Sequence, residues 1–132
     1  MPLSCDDDTF PEDSALYRWS VLMNEAFRGN GGRSLDTALQ YERQLAEAGF
    51  VDIQVVREKW PSNRWPREKK YKQIGIWNQE NMIAGLAGYS LALMTRPKEE
   101  GGLGWAREAV EVLLAGVRKD MRDTNIHSYY PL

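Results

Sequence analysis

Apolar residues recur along this chain with two periods, and the switches between them mark its elements. From Asp13 onward, Leu16, Trp19, Met23 and Phe27 fall on one side of a helix that Gly29 ends. Ser34 is placed to cap a second helix, with Leu35, Ala38, Leu39 and Leu45 turned inward and Gly49 as its stop. The period then drops to two. Val51-Asp52-Ile53-Gln54-Val55 alternates and predicts a strand reaching about Lys59. Trp60-Pro61 and Trp65-Pro66 next impose an extended connection, because a proline disfavours the helical region for the residue before it. A long helical stretch starts near Arg67 and carries Tyr71, Ile74, Trp77, Asn78 and Asn81 in one stripe, then Leu86, Tyr89 and Leu93. Gly85 and Gly88 are expected to break or bend it. Beyond Pro97, a last helix sets Trp105, Ala109, Val112, Leu113, Gly116 and Val117 on its apolar side. Its closing turns hold Arg118, Lys119 and Arg122, which complement the helix dipole. Ile126-His127-Ser128-Tyr129-Tyr130 predicts a second strand.

Composition narrows the class. The chain has 132 residues, of which 42% are hydrophobic and 27% charged, the proportions of one globular domain. Residues 1–11 are acidic and without period, and read as an arm that is mobile or docked on a partner, followed by a domain over 12–132. A net charge of −2 implies no general attraction for nucleic acid or an acidic membrane. No apolar run approaches the roughly 20 residues that span a bilayer, and Met1–Asp8 lacks the basic end and apolar core of a secretory signal. The single cysteine, Cys5, allows no internal disulfide and fits a reducing, cytoplasmic setting. Its neighbours Asp6, Asp7 and Asp8 disfavour a thiolate there, and one His with one Cys makes no metal-ligating set. Five tryptophans are many for this length and suggest an aromatic cavity or interface besides the core.

Candidate chemistry is sparse. Gly29-Asn30-Gly31-Gly32 and Gly101-Gly102-Leu103-Gly104 both lie between helical stretches and follow no apolar strand, so neither reads as a cofactor-binding turn. Histidine is the side chain whose unperturbed pKa lies near neutral pH, so His127 is a candidate general acid or base, or else a half-buried strand histidine. Trp77, Asn78 and Asn81 set two amides beside a ring, suited to orienting a carbonyl or enolate, or else form a polar stripe with Trp77 in the core. Tyr71 and Lys72 offer a phenol and an ammonium within a basic run. Tyr17, Trp19 and Tyr41 line a ligand cavity in one reading and fill the core in the other.

Several stretches together resemble the C-terminal half of the fungal class I methyltransferases of the LaeA-like kind. They are Phe10 to Trp19, Leu45 to Ile53, the two Trp-Pro pairs, Gly85 to Leu93, Glu111 to Asp120 and Ile126 to Pro131. The resemblance implies an α+β fold: mainly helical, with a small antiparallel two-stranded sheet taken from the end of a Rossmann-like domain. It implies that the half that would bind S-adenosylmethionine is missing, hence no cofactor. It places the segment around Trp77–Asn81 over the substrate; Tyr17, Trp19 and Tyr71, from their own aromatic side chains, are expected as further substrate contacts. The expected function is a pseudo-methyltransferase of secondary metabolism that isomerises or cyclises a small hydrophobic intermediate without S-adenosylmethionine. The alternative is a non-catalytic partner subunit or a fragment of a methyltransferase. The missing neighbour strand would leave Ile126–Tyr130 as an open edge, so a homodimer through that edge is expected. Asn78→Ala and Asn81→Ala are both expected to leave the melting temperature nearly unchanged.

Overall fold

The computed structural model describes residues 3–29 and 37–132. Its helices are α1 (Ala15–Gly29), α2 (Tyr41–Glu47), α3 (Lys69–Met94) and α4 (Arg107–Arg122). Two short strands, β1 (Lys59–Pro61) and β2 (Tyr129–Pro131), pair antiparallel with Trp60 opposite Tyr130. Single 3₁₀ turns occupy Thr37–Gln40 and Lys98–Glu100. The architecture is therefore mainly helical with a small two-stranded antiparallel sheet, as expected.

The core lies where α1, α3 and α4 meet. Leu16, Trp19, Met23 and Ala26 from α1 face Leu86, Leu93 and Met94 from α3 and Val110, Leu114 and Val117 from α4. Phe27 is only half-buried against this cluster. Ser14 Oγ accepts the Tyr17 N–H at 3.2 Å, and Asp120 on α4 accepts the Leu16 N–H at 3.0 Å. Both satisfy donors that a helix start leaves unpaired. The α1–α4 approach depends on Gly116, where an added Cβ would stand 2.7 Å from the Ala15 Cβ.

Several expectations are corrected. The alternating run Val51–Glu58 is not a strand; the ladder begins at Lys59, with Glu58 exchanging backbone hydrogen bonds with Leu132 (2.8 and 2.9 Å). Alternation alone did not form a strand because β2 ends at Pro131 and reaches no further along that run. The second helix is short and starts at Tyr41; Ala38, Leu39 and Leu45 are exposed rather than inward. The cap at Ser34 and the inward Leu35 lie outside the described residues, as do Asn30, Gly31 and Gly32. Gly49 does close α2, with φ of +92° in the left-handed region where glycine is favoured.

Gly85 and Gly88 do not interrupt α3, which runs unbroken for 26 residues because Leu86, Ser90, Leu93 and Met94 anchor that stretch in the core. On α4 the buried face is Val110, Leu113, Leu114, Val117 and Met121, so Ala109 and Val112 look outward.

The arm is docked on its own chain. Leu3 and Phe10 are buried in the core, and Ser4 bridges Tyr129 with two 2.9 Å backbone hydrogen bonds. The edge expected to stand open along Ile126–Tyr130 is thus covered at Tyr129 by the arm, while Ile126 is buried. Among the described residues, no helix is long and apolar enough to cross a membrane.

Candidate functional site

The segment joining β1 to α3 is held by hydrogen bonds made inside the protein. Ser62 Oγ lies 2.6 Å from Ser128 Oγ and 3.0 Å from the Ser128 carbonyl, and Trp65 Nε1 donates to the same carbonyl at 3.1 Å. Asn63, fully buried, donates to the carbonyls of Asp123 (3.1 Å) and Ile126 (3.2 Å) and accepts the Trp65 N–H (2.9 Å). Gly75 lets α3 lie against this segment: a Cβ there would sit 2.0 Å from the Asn63 carbonyl oxygen. Asn78 Nδ2 donates to the Pro61 carbonyl at 2.8 Å, tying the middle of α3 to β1.

This packing leaves a groove of about 560 Å³ between β1 and α3. Trp60 forms one wall; Lys70, Gln73, Ile74, Trp77, Asn78 and Asn81 on α3 form the other. Of the residues expected to act on a ligand, the structure gathers Trp77, Asn78 and Asn81 here. Trp77 is 68% exposed, so its ring belongs to the surface and not to the core. Asn81 is exposed, whereas Asn78 is buried with its amide nitrogen already engaged. Sequence reasoning missed Trp60, Lys70 and Gln73. The first was seen only as half of a Trp-Pro pair, Lys70 only as part of the basic run around Tyr71, and Gln73 was not singled out.

The remaining candidates lie elsewhere. Trp19 is buried, donates through Nε1 to Ser90 Oγ at 3.0 Å and packs against Tyr89, whose phenol is pushed up to about 12 by burial. Tyr17 meets Phe10 edge to face, with ring centroids 5.5 Å apart. Neither ring lines the groove. Tyr71 is half-buried beneath the Lys70 ammonium, 5.1 Å from its centroid. Tyr41 is exposed on α2.

His127 belongs to a second cluster, built by the arm. Its Nδ1 lies 2.6 Å from Asp7 Oδ2, its ring stacks on Trp65 at 4.7 Å, and its backbone N–H donates to Thr9 Oγ1 at 3.0 Å. Asp7 Oδ1 accepts from Thr9 Oγ1 (2.7 Å) and from the Cys5 thiol (3.1 Å). The His127 hydrogen bond, reinforced by Thr9 and Cys5, holds the Asp7 carboxyl well below the usual carboxylate range. Asp6 is lowered in the same way by Lys59 and by the Tyr129 hydroxyl, which donates to it at 2.7 Å. The acidic run therefore clamps the arm on β1, β2 and the loop before β2. Tyr130 is pushed far up by burial, and its hydroxyl has no hydrogen-bond partner among the described residues.

The second glycine cluster does not fit a cofactor cradle. The Gly101, Gly102 and Gly104 N–H groups donate to the carbonyls of Lys98, Pro97 and Arg96 (3.0, 3.0 and 2.9 Å), so they close a turn and face no ligand. Among the described residues there is no group of three or more metal-ligating side chains.

Comparison with curated proteins accounts for this combination of elements. The chain matches the C-terminal portion of fungal LaeA-like methyltransferases. It is 32% identical over 131 residues, 99% of its length, to the probable methyltransferase tdiE of Emericella nidulans. It is 32% identical over 125 residues to the methyltransferase pytC of Aspergillus terreus, and 32% identical over 126 residues to the secondary metabolism regulator LAE1 of Cochliobolus heterostrophus. Those alignments cover 39%, 37% and 39% of the three relatives, so the chain spans about two fifths of their length. No protein-family model and no solved structure matches it.

Proposed function

We propose that this chain binds a small, largely aromatic intermediate of fungal secondary metabolism in the groove between β1 and α3, as the substrate-facing part of a methyltransferase-like protein. The observation that carries the reading is the pair of indoles, Trp60 (46% exposed) and Trp77 (68% exposed), lining one groove with amides beside them. Two exposed rings that line one groove make a contiguous apolar patch, and a groove of about 560 Å³ is within the usual range for small-molecule sites. The relatives' names, methyltransferases and a regulator of secondary metabolism, support the setting in secondary metabolism. Isomerisation or cyclisation without S-adenosylmethionine suits the residues present, since it needs orientation and a few hydrogen bonds to developing charge. Asn81 and Gln73 line the groove and would supply those bonds, while Asn78 holds the wall.

The partner-subunit or fragment reading is favoured by a different observation: the chain spans about two fifths of its relatives and leaves Phe50, Val51 and Val56 in solvent. A turnover and binding screen of the protein against biosynthetic intermediates, with and without S-adenosylmethionine, separates the two. Binding that Trp77→Ala abolishes, with turnover independent of S-adenosylmethionine, supports the enzyme. Binding that needs an added methyltransferase subunit supports the alternative, and binding unaffected by Trp77→Ala removes the groove from both.

A further inference from the structure

Resting on the groove reading above, we infer that its ligand is a planar aromatic acid, anionic at neutral pH, whose charged group is recognised by Lys70.

The groove lies along a stripe of α3 from Lys70 to Asn81, eleven residues apart, or about 16 Å at the helical rise of 1.5 Å per residue. Along that stripe the chemistry is graded. Trp77 and Ile74, facing Trp60, provide flat apolar contact in the middle. Asn81 offers an uncharged amide at one end. Lys70 and Gln73 stand at the other, and Lys70 is the one charged residue lining the groove among the described residues. No carboxylate lines it, and Lys70 has no carboxylate partner among the described residues. Its ammonium lies over the Tyr71 ring, which leaves its hydrogen-bond donors available.

Charge complementarity selects the ligand from this arrangement. A neutral polycyclic molecule would fill the indole-lined part and leave the ammonium unanswered. A cationic one would meet a like charge with no acceptor carboxylate to offset it. An aryl carboxylate or an ionised enol stacks its rings on Trp77 and Trp60 and accepts a charge-assisted hydrogen bond from Lys70, with Gln73 as a second donor. The contrast with Lys59 supports the point: that lysine, one residue before Trp60, is already paired with Asp6 at 2.5 Å. The protein as a whole carries a net charge of −2, so the preference for an anion belongs to the groove and not to the overall field.

The test uses two nearly isosteric probes, anthracene-2-carboxylate and anthracene-2-carboxamide, titrated calorimetrically into the full chain at low ionic strength. The expected result is about fivefold tighter binding of the carboxylate, the size of a favourable exposed ion pair. That preference should disappear in Lys70→Met, persist in Lys72→Met, an exposed lysine two residues away outside the groove, and shrink on adding salt. Both probes should lose affinity in Trp77→Ala. Equal binding of the two probes, sensitive to Trp77→Ala, overturns the acidic-ligand inference and leaves the groove reading standing. An equal loss in Lys70→Met and Lys72→Met also overturns the inference, because it marks a diffuse basic surface. Binding of neither probe, or binding indifferent to Trp77→Ala, overturns the inference and the groove reading together.

Discussion

Asp7 meets His127 across 120 positions of sequence, and their 2.6 Å contact shows how single side chains seat the arm of this molecule. The Asp7 carboxyl is lowered chiefly by His127, then by Thr9 and Cys5. A carboxyl lowered on folding stabilises the fold at pH above its unfolded value, about 4. That contribution is lost as pH falls through the folded value. The melting-temperature difference between the wild type and Asp7→Asn should therefore be full above about pH 4 and shrink on further acidification. A gap that stays constant down the acid limb, followed by calorimetry, would contradict this. The two groove amides divide in a way their sequence did not reveal. Asn78→Ala leaves the buried Pro61 carbonyl without its donor and should cost roughly 1–3 kcal/mol in a denaturant titration, whereas Asn81→Ala, at an exposed position, should cost under about 0.5 kcal/mol. Silence in stability is therefore expected of Asn81 alone. Helical spacing put Asn78 and Asn81 in one stripe, but only the Gly75 approach decides that one of them points at β1.

Gly75 and Gly88 occupy the same helix and should respond oppositely to alanine. At Gly75 the new Cβ would lie 2.0 Å from the Asn63 carbonyl oxygen and 2.7 Å from its carbon, both backbone atoms fixed by the Asn63 hydrogen bonds. Gly75→Ala must therefore part α3 from β1 and should cost at least about 3 kcal/mol, at the upper end of overpacking penalties. At Gly88 nothing lies within 4 Å, so Gly88→Ala should stabilise the helix by about 0.5–1 kcal/mol. Chemical denaturation of the pair checks both signs. The contrast also marks what was legible at this scale. A period near 3.6 gave α1, α3 and α4, and the Trp-Pro pairs gave the extended connector, because these signals are local. The buried face of α4 was read one position away, with Ala109 where Val110 is buried, since Leu113 and Val117 fit either stripe. The strand at Val51–Val55 failed for a different reason. A strand needs a partner along its length, and β2 supplies one only from Lys59 to Pro61.

The molecule as a whole has a well-packed body and an unpacked excursion. Arm, sheet and three helices share one core, whereas residues 37–58 carry Leu39, Leu45, Phe50, Val51, Val55 and Val56 in solvent. Sequence reasoning assigned the association surface to Ile126–Tyr130, which is where the arm sits. It could not see that Ser4 covers Tyr129, because residues 1–11 carry no periodic signal to place them. We propose the exposed run as the surface for self-association: Val51 is 82% and Val56 77% exposed, and contiguous exposed apolar residues mark interaction sites. Sedimentation velocity on the wild type should therefore show mass rising with concentration into the tens of micromolar. Val51→Lys with Val56→Lys should shift the distribution toward monomer and leave the melting temperature within about 1 °C, since neither side chain packs in the fold. Tyr129→Lys should do the reverse. It removes a buried ring that donates to Asp6 and lies beneath the Lys59 ammonium at 4.7 Å, so it should lower the melting temperature and release the arm without relieving association. A wild type that stays monomeric at every concentration would rule out the exposed run as a self-association surface. Association abolished by Tyr129→Lys in a protein that remains folded would move the interface back to β2.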